Sequence, residues 1–337
     1  MADAVLTRER VFDLMQGYRN TSLLRTGIRL GVFTSLAEGP AEAGELAARL
    51  DIDPRGATIL LNALVAIGLL ERKDTEFRLV DGADELLAGP RSVAHLATIL
   101  ASDWEWDALK VLDEAVRRGG VVVDDNAESS DFAYWQDFAT FATAATGPTA
   151  GLVADELADW LDTRPTPTAL DVACGHGMYG FTLAARQPSL RVWGLDWPHV
   201  VPIAAENAAR LGVRDRVDFI EGDMFEVPLG GAYDVVFVTN VLHHFAEDRA
   251  TALLARAANV IKPGGKLVVV GFTTTDEPPD ADPAPYLFSV LMLAWTKGGE
   301  VHSERAYDRM LTEAGFTAAE VHRLPGVPMR VLIADRA

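Results

Sequence analysis

The chain has 337 residues, room for two domains at roughly 100–200 residues each. Apolar residues make up 49% and charged residues 23%, a globular balance that excludes a mainly disordered chain. Thirty bases against 49 acids leave a formal charge of −19, which repels nucleic acid and anionic membranes over a Debye length of about 8 Å and excludes a generally basic binding surface.

The opening MADAVLTRERVFDLM has no apolar h-region and does not read as a secretion signal. From Arg8 to about Leu100 the pattern is helical and rich in Ala and Leu, broken at Gly39-Pro40. Glu42 to Leu50 predicts a short helix. Asp53-Pro54 predicts the start of another, with Asp53 as cap and Pro54 at the first helical position. That helix runs into Ile59–Leu70, the longest nearly apolar stretch, which carries Asn62 and is far short of the roughly 20 residues a membrane helix needs. A charged turn (Glu71 to Asp74) and a strand (Phe77 to Val80) follow. Helix, helix and hairpin is the winged helix-turn-helix pattern. Between Ala41 and Val80, however, seven acids and five bases leave a net −2, and the would-be recognition helix carries one Arg among apolar side chains. Phosphate contacts and base readout need more than that, so the segment reads as a scaffold burying apolar faces against a partner subunit rather than as a nucleic-acid binder.

Ala101 to about Leu161 is a second helical zone with clustered aromatics: Trp104, Trp106, Phe132, Tyr134, Trp135, Phe138 and Phe141. Spacings of three and four put Tyr134, Phe138 and Phe141 on one face. Core packing is one reading and an apolar substrate pocket the other. From Thr166 onward TALDVA, RVWGL, VDFI, YDVVFV and KLVVVG alternate with helical stretches FTLAARQ, VVPIAAENAARL and RATALLARAANVI. Strands alternating with helices of this length predict a doubly wound parallel α/β sheet. A Pro-rich loop, a helix near Arg305 to Ala314 and two strands near Glu320 and Arg330 complete the chain. The single cysteine, Cys174, excludes an intrachain disulfide and a Cys-based zinc cluster and suits a reducing cytosol, so a cytoplasmic protein is expected.

The first strand of the sheet runs into Asp171-Val172-Ala173-Cys174-Gly175-His176-Gly177-Met178-Tyr179-Gly180. Gly175, Gly177 and Gly180 match G-x-G-x-x-G, and Asp196 ends the second strand 21 residues after Gly175. NAD enzymes and S-adenosylmethionine (SAM) enzymes share such a turn and acid. The charges separate them. Asp171, four residues before the first glycine, is expected to face the ligand, where it would repel a pyrophosphate and favour a sulfonium and an ammonium. Asp223 after the third strand suits an adenine amine. No Lys or Arg lies in the glycine loop. The ordered set Asp171, Gly175, Gly177, Asp196, Asp223 favours SAM.

The stretch Leu170 to Leu267 resembles class I SAM-dependent methyltransferases. The whole chain is similar to the O-methyltransferases of plant and bacterial secondary metabolism, which carry an N-terminal winged-helix dimerisation domain. LDVACGHGMYG resembles their first SAM motif, WGLDWP their ribose-binding region, IEGDMFE their adenine-side motif, and TNVLHHFAED with VIKPGGKLVVV their active-site helix and fifth strand. The resemblance implies a Rossmann-like doubly wound sheet with an all-helical winged-helix dimerisation domain. The expected division is 1–100 for dimerisation, 101–161 for the helical, substrate-lining zone and 162–337 for SAM binding. It implies a homodimer acting on a small molecule, with no nucleic-acid or membrane partner.

Residue by residue, Asp196 would hold the ribose hydroxyls, Trp197, Asp223 and Met224 the adenine, and Asp171, Gly175 and Gly177 the methionine moiety. Thr239 and Asn240 end the fourth strand at the ligand edge. Val241-Leu242-His243-His244-Phe245 maps the family's general base onto His243, with a positioning role as the alternative. His244, on an adjacent helical position, would point elsewhere in the pocket. Gly271 stands where the family commonly has an orienting Glu, and where the family often has an acid-Arg pair after a double glycine, Glu300 after Gly298-Gly299 is the candidate substitute, one residue displaced. Phe288 to Trp295 falls where the family's capping helix lies. Phe288, Met292 and Trp295, with Trp135, Phe138, Phe141 and His244, would line a largely apolar pocket for an aromatic or polyketide-like acceptor. His302 beside the histidine pair permits a metal, yet no spacing signature supports one. C- or N-methylation, a non-methyltransferase use of SAM, and a metabolite-sensing winged-helix regulator are the alternatives.

Overall fold

The computed structural model describes residues 6–89, 92–123 and 126–337; residues 1–5 of the N-terminal reading lie outside them. The chain divides into two compact units, Met1–Ser102 and Asp103–Ala337. Among the described residues no helix is long and apolar enough to cross a membrane.

The first unit contains α1 (Arg8–Arg29), α2 (Val32–Ala37), β1 (Ala41–Glu42), α3 (Ala43–Leu50), α4 (Pro54–Ala66), β2 (Leu70–Lys73), β3 (Glu76–Leu79), α5 (Ala83–Leu87) and α6 (Ala97–Leu100). Asp53 caps α4 by accepting the Gly56 N–H at 2.8 Å, with Pro54 opening the helix. The unit is mainly helical and also holds the hairpin read from sequence. Its hairpin pairs with β1 in a three-stranded antiparallel sheet of order β1-β3-β2. The alternation of Leu70, Phe77 and Leu79 with charged residues turns one face of that sheet onto Phe33, Leu36, Leu46, Leu61 and Leu64.

The second unit opens with α7 (Asp103–Lys110), α8 (Leu112–Arg118), α9 (Tyr134–Phe141) and α10 (Thr143–Asp162). These helices belong to the body of the sheet domain. Val153, Leu157 and Leu161 of α10 share a buried cluster with Val192, Phe237 and Val268 of the strands. Then follow β4 (Thr168–Val172), α11 (Met178–Arg186), β5 (Arg191–Asp196), α12 (Val201–Arg210), β6 (Val217–Glu221), β7 (Tyr233–Thr239), α13 (Glu247–Ala258), β8 (Ile261–Phe272), α14 (Ala284–Trp295), α15 (Glu304–Glu313), β9 (Glu320–Arg323) and β10 (Met329–Asp335). Ile261, read from sequence as a helix end, begins β8. The strand order is β6-β5-β4-β7-β8-β10-β9. Strands β4 to β8 are parallel, and β10 runs antiparallel between β8 and β9. Every residue of β7 is buried, as a central strand covered on both faces requires. The order reverses at β4, which lies between β5 and β7, so a crevice opens past the carboxyl ends of these strands.

The opposite edge is held by Asp234. Its carboxylate accepts from Arg164 Nη1 at 3.0 Å, Lys262 Nζ at 2.7 Å and the Thr168 N–H at 2.9 Å. Asp234 is 3% exposed; burial works to raise its carboxyl, and Lys262 and Thr168 outweigh that and hold it below the usual carboxylate range. A depressed carboxyl stabilises the fold above its unfolded pKa, and that stabilisation fades as pH falls through the folded value. Asp234→Ala is therefore expected to lower the unfolding free energy at neutral pH by about 1.5–3 kcal/mol, the worth of hydrogen bonds to a charged group. The difference from the parent should shrink below about pH 4 in urea titrations, and a difference independent of pH would refute the account.

Candidate active site

The crevice opens into a pocket past the carboxyl ends of β4, β5 and β7. Its floor is the turn after β4. Ala173 takes φ +52 and Gly175 φ +53, so the chain doubles back beneath the opening. Gly177 caps α11 at φ +73, where a Cβ would lie 2.0 Å from the Phe181 ring. A side chain at Gly180 would meet Val192 at 2.9 Å, so that glycine lets α11 pack on β5. These contacts explain the glycine spacing without reference to any ligand.

Asp196 is the last residue of β5 and is 8% exposed. Its Oδ2 accepts the Gly175 N–H at 2.7 Å and its Oδ1 the Trp197 N–H at 2.7 Å. Burial pushes its carboxyl up to about 6, against the lowering effect of those two N–H donors. Asp196, Gly175, Trp197, Met224, Thr239 and Asn240 all line the cavity, together with Trp135, Phe138 and His244. No Lys or Arg does.

Asp171, Gly177, Asp223 and Glu300 lie elsewhere. Asp171 is fully buried beneath the turn and does not line the cavity. Its Oδ2 accepts the Gly180 N–H at 3.3 Å, and its Oδ1 has no partner. Burial first, then the neighbouring Asp196, push its carboxyl up to about 8 against the Gly180 N–H. Gly177 sits behind the turn as the helix cap. Asp223 uses Oδ1 to accept the Phe225 N–H at 2.8 Å, and Met224 instead reaches the cavity. Glu300 is exposed, so it does not supply the orienting acid expected beside His243.

The histidine pair forms a single 3-10 turn, Leu242–His244. With about three residues per turn, successive side chains point three ways. Leu242 enters the core beneath β7 and β8. His244 turns to the cavity, edge-on to Trp135 at 5.2 Å between ring centres. His243 is 3% exposed, does not line the cavity, and meets the Phe288 ring edge-on at 4.9 Å. Burial lowers His244 to about 4. Burial, and then the neighbouring His244 and His302, hold His243 well below the usual imidazole range.

The remaining pocket candidates are split. Phe288 stacks on Phe272 at 4.3 Å. Met292 is buried, and Trp295 packs on Phe132 and Tyr134 at 5.7 and 4.7 Å. Phe141 is half-buried and off the cavity. Met292 and Trp295 support the wall from behind rather than forming its surface.

Sequence reasoning did not single out His176. It is buried within the glycine turn and lines the cavity. Its Nδ1 accepts the Met178 N–H at 3.1 Å, which leaves Nε2 to donate to Thr146 Oγ1 at 3.0 Å. Phe138 stacks on it at 5.7 Å. The only local signal is a histidine between the two glycines, a position that otherwise reads as loop.

A buried carboxylate with spare lone pairs, glycine and aromatic walls and no cation suits a ligand that brings hydroxyl donors and positive charge. The ribose diol and sulfonium of SAM have that character, and a pyrophosphate does not.

Comparison with known proteins agrees. The O-methyltransferase domain model matches residues 136–317, and the O-methyltransferase dimerisation domain model matches residues 12–102. The chain is 30% identical to the 3-hydroxy-5-methyl-1-naphthoate 3-O-methyltransferase of Streptomyces sahachiroi, over 92% of this chain and 90% of that protein. It is 31% identical to the tetracenomycin polyketide synthesis 8-O-methyl transferase of Streptomyces glaucescens, over 94% and 93%. An O-methyltransferase family protein from Burkholderia thailandensis superposes with a TM-score of 0.83 at 25% identity, covering 99% of both chains. Human N-acetylserotonin methyltransferase, solved in complex with SAM, shares the fold with a TM-score of 0.82 at 23% identity, covering 100% of both. With both domain models matched in order along its length, the chain belongs to the O-methyltransferase family.

Proposed function

We propose that the chain transfers a methyl group from SAM to a hydroxyl oxygen of a small, flat, largely apolar acceptor of aromatic or polyketide type. The observation that carries this reading is the wall of the cavity, acidic and glycine-rich at Asp196 and Gly175, aromatic at Trp135, Phe138 and Phe245, and free of cations. The two Streptomyces relatives support the acceptor type, since one acts on a naphthoate and the other belongs to polyketide synthesis.

Asp196 offers its remaining lone pairs to the ribose hydroxyls while the Gly175 and Trp197 N–H groups hold its orientation. Trp197 and Met224 flank the adenine, and Thr239 and Asn240 border the methionine end. Bound SAM supplies an electrophilic methyl group whose leaving group is a neutral thioether. Trp135, Phe138, His244 and Phe245 hold the acceptor flat and exclude water, so catalysis draws on proximity and alignment.

The N-terminal unit is read as the contact between two copies of the chain. The first half of α1 leaves large apolar side chains uncovered within its unit, with Phe12 48%, Leu14 64%, Met15 65% and Tyr18 56% exposed. The exposed side of α4 presents Arg55 beside Thr58, Ile59 and Asn62, which is poor in the cations that DNA demands. A cytoplasmic homodimer follows, working on a free small molecule.

Asp196→Asn puts an amide NH2 against one of two backbone N–H donors. SAM affinity measured by calorimetry should fall by about 10- to 100-fold, the equivalent of about 1.5–3 kcal/mol, with the circular dichroism of the fold retained. Unchanged affinity would move the cofactor site elsewhere. In sedimentation at micromolar concentration the parent should run as a dimer, and Met15→Glu with Tyr18→Glu should shift it towards monomer. A monomeric parent would refute the interface.

A further inference from the structure

The glycine turn and the aromatic wall of the cavity share one side chain. His176 lies in the turn after β4, is 3% exposed, and has both ring nitrogens engaged. Nδ1 accepts the Met178 N–H at 3.1 Å, inside the turn itself. Nε2 reaches across to Thr146 Oγ1 of α10 at 3.0 Å. That hydroxyl donates to the Ala142 carbonyl at 3.0 Å, which leaves it to accept from Nε2. The two bonds fix one neutral tautomer, and burial, which lowers the ring to about 4, keeps Nδ1 free to accept. The main chain is clamped as well. Asn207 of α12, 3% exposed, donates from Nδ2 to the His176 carbonyl at 3.1 Å and to the Ala139 carbonyl of α9 at 3.3 Å. Arg210 Nη1, on Asn207 Oδ1 at 3.0 Å, sets the orientation of that amide.

Phe138 of α9 rests on this frame. Its ring stacks on the imidazole with 22° between planes and 5.7 Å between centres. A Cβ at Gly175 would lie 4.0 Å from it. Phe138 therefore stands where the cofactor turn meets the aromatic wall, with the Trp135 ring edge-on at 6.2 Å. A ring free to rotate would give Phe138 a surface to slide on. One bonded at both nitrogens gives it a fixed plane, which an apolar ring of the same size would not.

We propose that His176 is a positioning residue for the transfer, setting the plane of Phe138, and with it the plane of the acceptor, against the turn that holds the cofactor. This rests on the methyl transfer argued above. Thr146 and Asn207, which do not line the cavity, are the outer members of the same device. An in-line displacement tolerates little tilt. A loosened imidazole therefore misdirects the acceptor without removing any group that touches the reacting atoms.

The test reads the imidazole first, in the full chain without ligand. Histidine nitrogen NMR, assigned by the resonance lost in His176→Phe, should show His176 with Nδ1 bare and Nε2 protonated. The opposite tautomer, or exchange between the two, overturns the proposal. The second arm uses SAM with 1,3-dihydroxynaphthalene, whose two hydroxyls give different monomethyl ethers. Their ratio does not depend on how much of the enzyme is folded. The parent should favour one ether. Thr146→Val should bring the ratio closer to parity by about threefold or more and lower kcat by about tenfold, with S-adenosylhomocysteine affinity by calorimetry within about threefold of the parent. Thr146→Ser keeps the hydroxyl and should restore both ratio and rate. A parent without preference, a Thr146→Val ratio equal to the parent's, or a Thr146→Ser ratio as altered as that of Thr146→Val overturns the proposal. If Thr146→Val fails to fold, Thr146→Ala takes its place. Failure of SAM to bind in calorimetry defeats the methyltransferase reading instead; in that case, or with an unreactive probe, the tautomer alone decides.

Discussion

The arrangement turns on one carboxylate. Asp196 lies at the buried end of β5, where an ionised group is costly, and two backbone N–H groups from different loops offset that cost. Those two bonds tie the glycine turn after β4 to the turn after β5. The turn can reach Asp196 only because Ala173, Gly175 and Gly177 take positive φ. The cavity between them follows from that bracing and from the reversal of strand order at β4. An acid buried there without a cation leaves the site incomplete until a donor arrives, so the same contact that shapes the crevice also selects its ligand.

The strands were legible because a parallel sheet covered on both faces forces unbroken apolar runs, and YDVVFV and KLVVV have no other comfortable place. Pocket-lining residues were legible at strand ends and just past them, as with Asp196, Trp197, Thr239 and Asn240. Asp171 shows the limit of that reading. It lies within β4, and side chains inside a strand point to the faces of the sheet. Ala169 and Asp171 share the face under α11, so the carboxylate meets the Gly180 N–H rather than the ligand. The motif carries an acid there, but the pleat turns it away from the pocket.

The orientation of the histidine pair was not legible for a different reason. A sequence gives the order of His243 and His244 but not whether the turn is α or 3-10, and the two differ in where each side chain points. That choice depends on Phe288 and Trp135, which are 45 and 109 residues away in the chain. Glu300 was read by proximity to a double glycine, yet it is exposed. The unpaired apolar half of α1 belongs to the same class, since what covers it lies outside one chain's own contacts.

The absence of cations from the cavity among the described residues bears on the reaction as an electrostatic condition. A positively charged methyl donor meeting a negatively charged oxygen gives uncharged products, so charge disappears along the path. Water stabilises the separated ions and slows such a step, whereas apolar surroundings withhold that stabilisation. Trp135, Phe138, His244 and Phe245 form such surroundings, and the buried neutral imidazoles add no competing charge. On the proposed reading, the aromatic wall serves the reaction by keeping the reacting pair dry.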